Sequence, residues 1–389
     1  MRVRSVTTLG FRNLTGGETP LAGEVTLLWG PNGAGKTNLL EALCMGLSGR
    51  SPRTRAEREV IGFGRDLARV EVKLAGATER RTFLCAIERG ADRRHHVDGK
   101  ALDATAEAEL RPALSVFMPD RLALVKGPPA ARRSHLDRFC AALWPARAEP
   151  RRRYGRALAQ RNALLGRIRA GVAGPSALDA WDAELAAAGA ELIAIRAAAC
   201  GSLAAPFADA AAELGLEGDA ALAYRPRSEA ASAEELATEL ADRRAADVDR
   251  GFTTHGPHLD EVALARGGRA LRRYGSQGEQ RLALLALLFA ERELLIGEGR
   301  PPPLMLLDDV GSELDPGRRA LLCERLRAGG GQALITATEP GQLPAECPRR
   351  ELAMRAGAVI AEAGADEVAS ASATEPRGEA EVEPGAEAA

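Results

Sequence analysis

The stretch that decides the fold is Gly30-Pro31-Asn32-Gly33-Ala34-Gly35-Lys36-Thr37, which has the spacing G-x-x-x-x-G-K-T. An apolar strand pattern, Val25-Thr26-Leu27-Leu28-Trp29, runs into it, and a helical pattern with Leu39, Leu40, Leu43 and Leu47 on one face follows. Strand, glycine loop and helix in that order make a phosphate cradle. The glycines let successive backbone N–H groups turn toward phosphate oxygens, and the helix N-terminus adds a partial positive charge. Lys36 is placed to reach the β- and γ-phosphates of a nucleoside triphosphate, and the Thr37 hydroxyl to ligate Mg²⁺. A plain glycine-rich turn would explain neither the lysine nor the hydroxyl.

Two distant stretches suggest what the nucleotide is for. Leu304-Met305-Leu306-Leu307-Asp308-Asp309 reads as a buried parallel strand delivering two carboxylates to the edge of a sheet, beside the phosphate loop. Asp308 is placed to hold Mg²⁺, and Asp309 to orient or deprotonate the attacking water. Ser276-Gln277-Gly278-Glu279-Gln280 opens a strongly apolar helix, with Ser276 as its cap and Glu279 three residues on. The order of these elements resembles the ATP-binding-cassette ATPases, whose signature element carries a serine and a glycine where Ser276 and Gly278 stand. The resemblance implies that both residues contact the γ-phosphate held by the other subunit's loop. One chain has one loop and one signature, so complete sites need two chains.

Lys36 and Ser276 are 240 residues apart, an insertion longer than a transporter cassette usually carries and without the heptad array of an SMC arm. Local phrases narrow the reading: Phe11-Arg12-Asn13-Leu14, Ser48-Gly49-Arg50-Ser51-Pro52-Arg53, Val116-Phe117-Met118-Pro119-Asp120, Gln160-Arg161-Asn162, Gly256-Pro257-His258 and Asp308-Asp309-Val310-Gly311-Ser312-Glu313-Leu314-Asp315. Together they resemble the RecF family of bacterial recombination-mediator ATPases over roughly residues 1–360. The resemblance implies an α/β, ABC-type (SMC-like) ATPase head with an inserted helical arm, ATP and Mg²⁺ as cofactors, and Arg12 near the nucleotide phosphates. It also implies an ATP-dependent homodimer and weak, DNA-dependent ATP hydrolysis used as a switch. Partners expected from it are DNA, duplex and gapped, together with RecO and RecR in helping RecA to load. Asp309 stands where the superfamily usually has a catalytic glutamate, which fits slow hydrolysis. The expected switch histidine after Leu334-Ile335-Thr336-Ala337 is absent. A transporter ATPase subunit and an ATP-dependent nuclease are the competing classes; the second would need a C-terminal nuclease domain.

Composition sets limits. The chain has 48 Arg against four Lys, so arginine clusters alone carry little weight. Six scattered cysteines without a C-x-x-C pair speak against a disulfide framework or zinc site and for a reducing cytosol. His255 and His258, three apart, lack an evident third ligand. No apolar run is expected to span a membrane, which takes about 18 residues. Net charge is −2, but residues 362–389 hold eight acids against Arg377, a net of −7 that leaves the rest at +5. That tail is Ala/Glu/Gly/Ser/Pro-rich with no aromatic residue, a composition of disorder.

The expected organisation is an N-terminal ATPase part over 1–118, a helical arm over 119–247, a C-terminal ATPase part over 248–361 and the tail. In the arm, Tyr154, Leu158, Leu165 and Ile168 predict one helix. Leu178, Trp181, Leu185, Ala188, Leu192 and Ile195 predict a second, with Ser176 as its N-cap after Gly174-Pro175. Arg151, Arg152 and Arg153, within a larger arginine crowd on the first helix, are the candidate DNA contacts; a solvated helix face explains them as well.

Overall fold

The computed structural model describes residues 1–21, 23–76, 79–102, 111–118 and 122–363. Pro119 and Asp120 of the motif above, and the tail from Gly364 onward, lie outside the described residues. The phosphate-loop strand Val25–Trp29 sits inside a six-stranded sheet in the order 358–363, 350–355, 25–29, 332–337, 304–307, 114–117. All of these strands are parallel except Ala358–Ala363, which returns antiparallel along one edge. Glu362 and Ala363 therefore belong to the body, and the tail starts two residues later than composition suggested.

Alternate side chains leave opposite faces of this sheet. Leu28, Leu306 and Leu334 enter the core that contains helix α1 (Lys36–Ser48), whereas Leu27, Met305, Leu307 and Ile335 enter a second core on the other side. Burial on both faces is why these strands read as unbroken apolar runs. Helix α1 is itself buried nearly all round, not only along the expected stripe, because an antiparallel sheet covers its outer side. That sheet runs in the order 17–20, 2–9, 67–75, 80–88, 94–97, 100–101. Its strands Arg80–Glu88 and Arg94–Val97 form a hairpin, and the Asp98-Gly99 turn that follows has φ of 51° and 78°. Two left-handed residues in a row give the tight turn the twist of its strands.

The inserted segment builds α2 (Pro129–Leu143), α3 (Glu149–Arg169), α4 (Asp179–Glu213) and α5 (Ala233–Asp242). Tyr154 and Leu165 of α3 are buried, as are Leu185, Ala188, Leu192 and Ile195 of α4. Ser176 does not cap α4. Pro175, with its fixed φ, starts a short 3₁₀ turn over Pro175–Leu178, Ser176 falls inside that turn, and the α-helix begins only at Asp179. The stretch Pro175–Glu213 is also apolar and long enough by composition to cross a membrane, which corrects the expectation that no such run exists. Its apolar residues are placed as in a core helix: they pack against α3, α5, the strand Ala220–Arg225 and the helix α6 (Gln277–Gly297). Ala220–Arg225 pairs in turn with Glu261–Arg266, so backbone hydrogen bonds run across the expected boundary at residue 247.

Arg161, one of the arginine crowd that reads either as a solvated face or as DNA contacts, has no exposed surface. Its Nε donates to Asp182 Oδ1 at 2.6 Å, and its Nη1 donates to Asp247 Oδ2 at 2.7 Å and Thr253 Oγ1 at 2.8 Å. Asn162 Oδ1 accepts from the N–H and hydroxyl of Thr253. The Gln160-Arg161-Asn162 phrase is thus the bolt between the arm helices and the segment returning to the head. We expect Arg161→Ala to destabilise the chain by about 3–5 kcal/mol, since it takes a buried cation from two buried carboxylates and leaves them only Arg244 and Thr254. A urea midpoint within error of the parent would refute that role.

Candidate nucleotide-binding site

The phosphate loop leaves the end of Val25–Trp29 and enters α1 directly, with Gly35 (φ 105°) as the helix N-cap. Gly30 (φ 152°) has no alternative: a Cβ there would lie 2.2 Å from the Met354 carbonyl oxygen of the neighbouring strand. The turn at Gly357 closes the other side, its N–H donating to Ala34 O at 2.9 Å. Lys36 is buried and its Nζ donates to the carbonyls of Gly30 (2.6 Å) and Pro31 (3.1 Å), so the ammonium is held over the loop. Burial lowers its pKa, against the pull of Asp308 and Asp309.

The acidic strand brings its carboxylates where the sequence predicts. Thr37 Oγ1 lies 2.9 and 3.0 Å from the two oxygens of Asp308, and Thr336 Oγ1 donates to Asp308 Oδ1 at 2.7 Å. Burial pushes the Asp308 carboxyl up, opposed by the hydrogen bonds from Thr336 and Thr37. A hydroxyl and a carboxylate meeting beside the loop are hard oxygen donors of the kind Mg²⁺ takes. Asp309 is held in the left-handed region (φ 49°), its N–H donating to Thr336 Oγ1 at 2.8 Å. Its Oδ2 accepts from Ser312 Oγ at 2.9 Å, while its Oδ1 is buried with no hydrogen-bond partner in the protein. That unmatched oxygen is where a proton or a water hydrogen would be received.

Arg12 comes close to the loop through its neighbour: Asn13 Nδ2 donates to Gly33 O at 2.9 Å. The guanidinium itself forks onto Glu41 of α1, with Nε and Nη2 at 3.0 and 2.9 Å from the carboxylate oxygens, and Nη1 donates to Glu59 O. Ser51 Oγ and Arg53 Nη1 bind the same carboxylate at 2.6 and 3.1 Å. Burial raises the Glu41 pKa, but the hydrogen bonds from Arg12 and Ser51 and the charges of Arg12 and Arg53 hold it below the usual carboxylate range. Sequence reading missed Glu41 as the hub. The signal was present: it is a lone acid inside the apolar run Leu39–Leu47. Thr336, the residue gripping both Asp308 and the Asp309 backbone, was equally legible as the one hydroxyl in Leu334–Ala337.

The signature forms the start of α6. Ser276 Oγ accepts from the Glu279 N–H at 3.2 Å and the Ser276 N–H donates to Glu279 Oε2 at 2.7 Å, a complete capping box. Gln280 is buried and donates to the carbonyls of Leu271 and Gly275, fixing the approach to the helix. Ser276, Gln277 and Gly278 remain exposed.

The three candidate arginines of the arm are each paired. Arg151 meets Asp137 at 3.1 Å, Arg152 meets Glu149 at 3.2 Å, and Arg153 meets Glu184 at 3.1 Å and Glu191 at 3.3 Å, each guanidinium staying partly exposed. The two loop histidines do not converge on a metal. His258 Nε2 lies against Thr253 O at 3.1 Å and its Nδ1 accepts from the Tyr154 hydroxyl at 2.7 Å, while His255 pairs with Glu239 at 2.5 Å. Among the described residues no cluster of three metal-ligating side chains occurs, and all six cysteines are buried and outside any disulfide.

Comparison with known proteins gives the family. The family described as RecF/RecN/SMC N terminal domain matches residues 2–347. The DNA replication and repair protein RecF of Anaeromyxobacter sp. strain K is 40% identical over 352 residues, covering 87% of this chain and 93% of that protein. The chain belongs to the RecF family. Its counterpart in Heliobacterium modesticaldum is 35% identical over 348 residues, with similar coverage. Among solved structures, the recombination mediator protein RecF with ATP superposes with a TM-score of 0.82 at 26% identity, covering 92% of this chain and 97% of that one. An SMC head bound to a winged-helix domain of ScpA reaches 0.58 at 14% identity, a likeness of fold alone. The architecture is therefore the ABC-type, SMC-like ATPase head, and nucleotide binding comes with it.

Proposed function

We propose that the chain is an ATP-driven DNA clamp of recombinational repair, acting as a homodimer on duplex DNA at single-strand gaps. Relatives bear the description DNA replication and repair protein, and solved neighbours are assigned to the RecFOR pathway. On that ground RecO and RecR are its partners, and assistance to RecA loading is its task. The observation that carries the reading is the exposed start of α6. Ser276 keeps a hydroxyl proton to donate, and the first N–H groups of the helix lack intrahelical acceptors, so a γ-phosphate from a second chain has donors waiting.

Within each site, Gly30–Thr37 cradles the phosphates, Lys36 moves from its carbonyls to the β/γ-oxygens, and Thr37 with Asp308 holds Mg²⁺. Bound there, the cation would supply positive charge against that of the phosphates. Asp309 orients the attacking water. Arg12 and Arg53 act through Glu41, stiffening the first turns of α1 behind the loop. Hydrolysis opens the dimer and releases DNA.

DNA is gripped through phosphates, with arms from two chains flanking it. Sizing by light scattering is expected to give a monomer alone and a dimer with ATP, and gel shifts to give ATP-dependent DNA binding. Replacing Arg151, Arg152 and Arg153 together by alanine removes three phosphate-reaching guanidinium groups. The slope of log affinity against log salt should then become shallower by about 2–3 while ATP-driven dimerisation survives. An unchanged slope would return the cluster to its ion pairs within the arm, and DNA binding indifferent to ATP would overturn the clamp.

A further inference from the structure

A cleft of about 550 Å³ opens between the edge strand Leu114–Phe117, the end of α1 and the root of the arm. Six arginines line it (Arg50, Arg111, Arg138, Arg147, Arg151 and Arg152) against two carboxylates, Asp137 and Glu291. Both carboxylates are engaged, Asp137 in part by Arg151 of the cleft itself, and Arg152 pairs with Glu149. Asp137 is gripped by the buried Arg196 at 2.8 and 3.1 Å, and Glu291 by His135 at 2.6 Å. Arg50, Arg138, Arg147 and Arg151 are exposed, and Arg147 lies over the Trp144 ring at 5.0 Å, which holds its guanidinium plane at the rim. The cleft is a preformed receptor for several carboxylates or phosphates: guanidinium forks match both groups bidentately.

The position of the cleft names its occupant. Ala113, Leu114 and Pro303 place it toward the end where the parallel strands begin, opposite the end that carries the phosphate loop and Asp308. The antiparallel strand Ala358–Ala363 finishes at that same end, Ala363 pairing with Glu351 at the start of its neighbour. It lies on the far edge of the sheet, five strand intervals from Leu114–Phe117, or about 24 Å. Residues 364–389 follow, carrying seven acids and one arginine. A random coil of 26 residues has an end-to-end distance of roughly 28 Å, so the length of this segment suffices to bring its acids to the cleft.

We propose that this acidic segment docks in the arginine-lined cleft of its own chain and competes there with other polyanions. The contact needs neither ATP nor DNA, since it lies at the end of the sheet away from the nucleotide. Its failure and the failure of the clamp reading are therefore separable.

The test uses the full chain with a photoreactive benzoylphenylalanine at Val382. Irradiation in low salt should give intramolecular cross-links to residues lining the cleft, such as Ala113, Ala141 and Leu192. Their yield should fall about tenfold in high salt, as screened charge pairing requires. The exposed charge reversals Arg50→Glu, Arg138→Glu and Arg147→Glu should abolish them. Adding Glu379→Arg, Glu381→Arg and Glu383→Arg to that variant should restore them. Cross-links that map elsewhere, survive the reversal, or form only between chains in a mixture of isotopically light and heavy protein would overturn the proposal. So would a short single-stranded oligonucleotide that binds the cleft equally well with and without the seven acids, because the tail would then not be competing for it.

Discussion

Asp309→Asn is expected to bind ATP with unchanged affinity and to lose hydrolysis by about 10²–10⁴-fold, the usual contribution of a positioned general base. The substitution isolates the chemistry. Asparagine tolerates the left-handed backbone at this position as aspartate does, and its amide oxygen still accepts the bond from Ser312 Oγ. The Asp309 N–H keeps its bond to Thr336, so Asp308 and Thr37 stay in register. What disappears is the buried Oδ1, the acceptor without a partner in the protein. With hydrolysis gone, the ATP-bound dimer should persist in place of reopening, and single-turnover measurement beside light scattering reads both effects. Wild-type turnover in this variant would mean that another group receives the proton.

The fold was legible where one residue pattern had one physical explanation. The apolar runs at 25–29 and 304–307 had to be strands buried on both faces, and their flanking glycines and acids fixed which end of the sheet carries chemistry. The Ser276 cap was equally plain, because a serine followed by glutamate at the third position satisfies both orphan N–H groups. Arginines were not legible. Arg151 and Arg161 read alike in a helix of mixed charge, yet one is half exposed and the other wholly buried among Asp182, Asp247 and Thr253. Their difference is set by partners 21 to 92 residues away, and no local periodicity carries that information. Glu41 belongs to the same class, since three of its partners come from segments on either side of α1.

The largest effect on assembly is expected from Ser276→Asp. Aspartate is as good an N-cap as serine, so α6 keeps its start and the chain its stability, whereas alanine would cost about 1 kcal/mol by removing the acceptor for Glu279 N–H. The nucleotide bound by the same chain's loop is untouched, and ATP affinity of the monomer should stay within about twofold, well below the tenfold that 1.4 kcal/mol would bring. The partner's γ-phosphate, however, would meet a carboxylate where a hydroxyl donor stood. On the proposed reading, ATP stabilises the dimer only through its extra affinity for the closed state, and this contact would supply that differential. Reversing its sign should leave a monomer at saturating ATP. Ser276→Arg should do the same by bulk, although it also loses the cap. Two variants with opposite charge, one of them with an intact helix start, separate a failed interface from a failed fold: thermal melts report the fold, and light scattering with ATP reports the interface. A Ser276→Asp dimer as tight as the parent's would place the second half of the nucleotide site somewhere other than the start of α6.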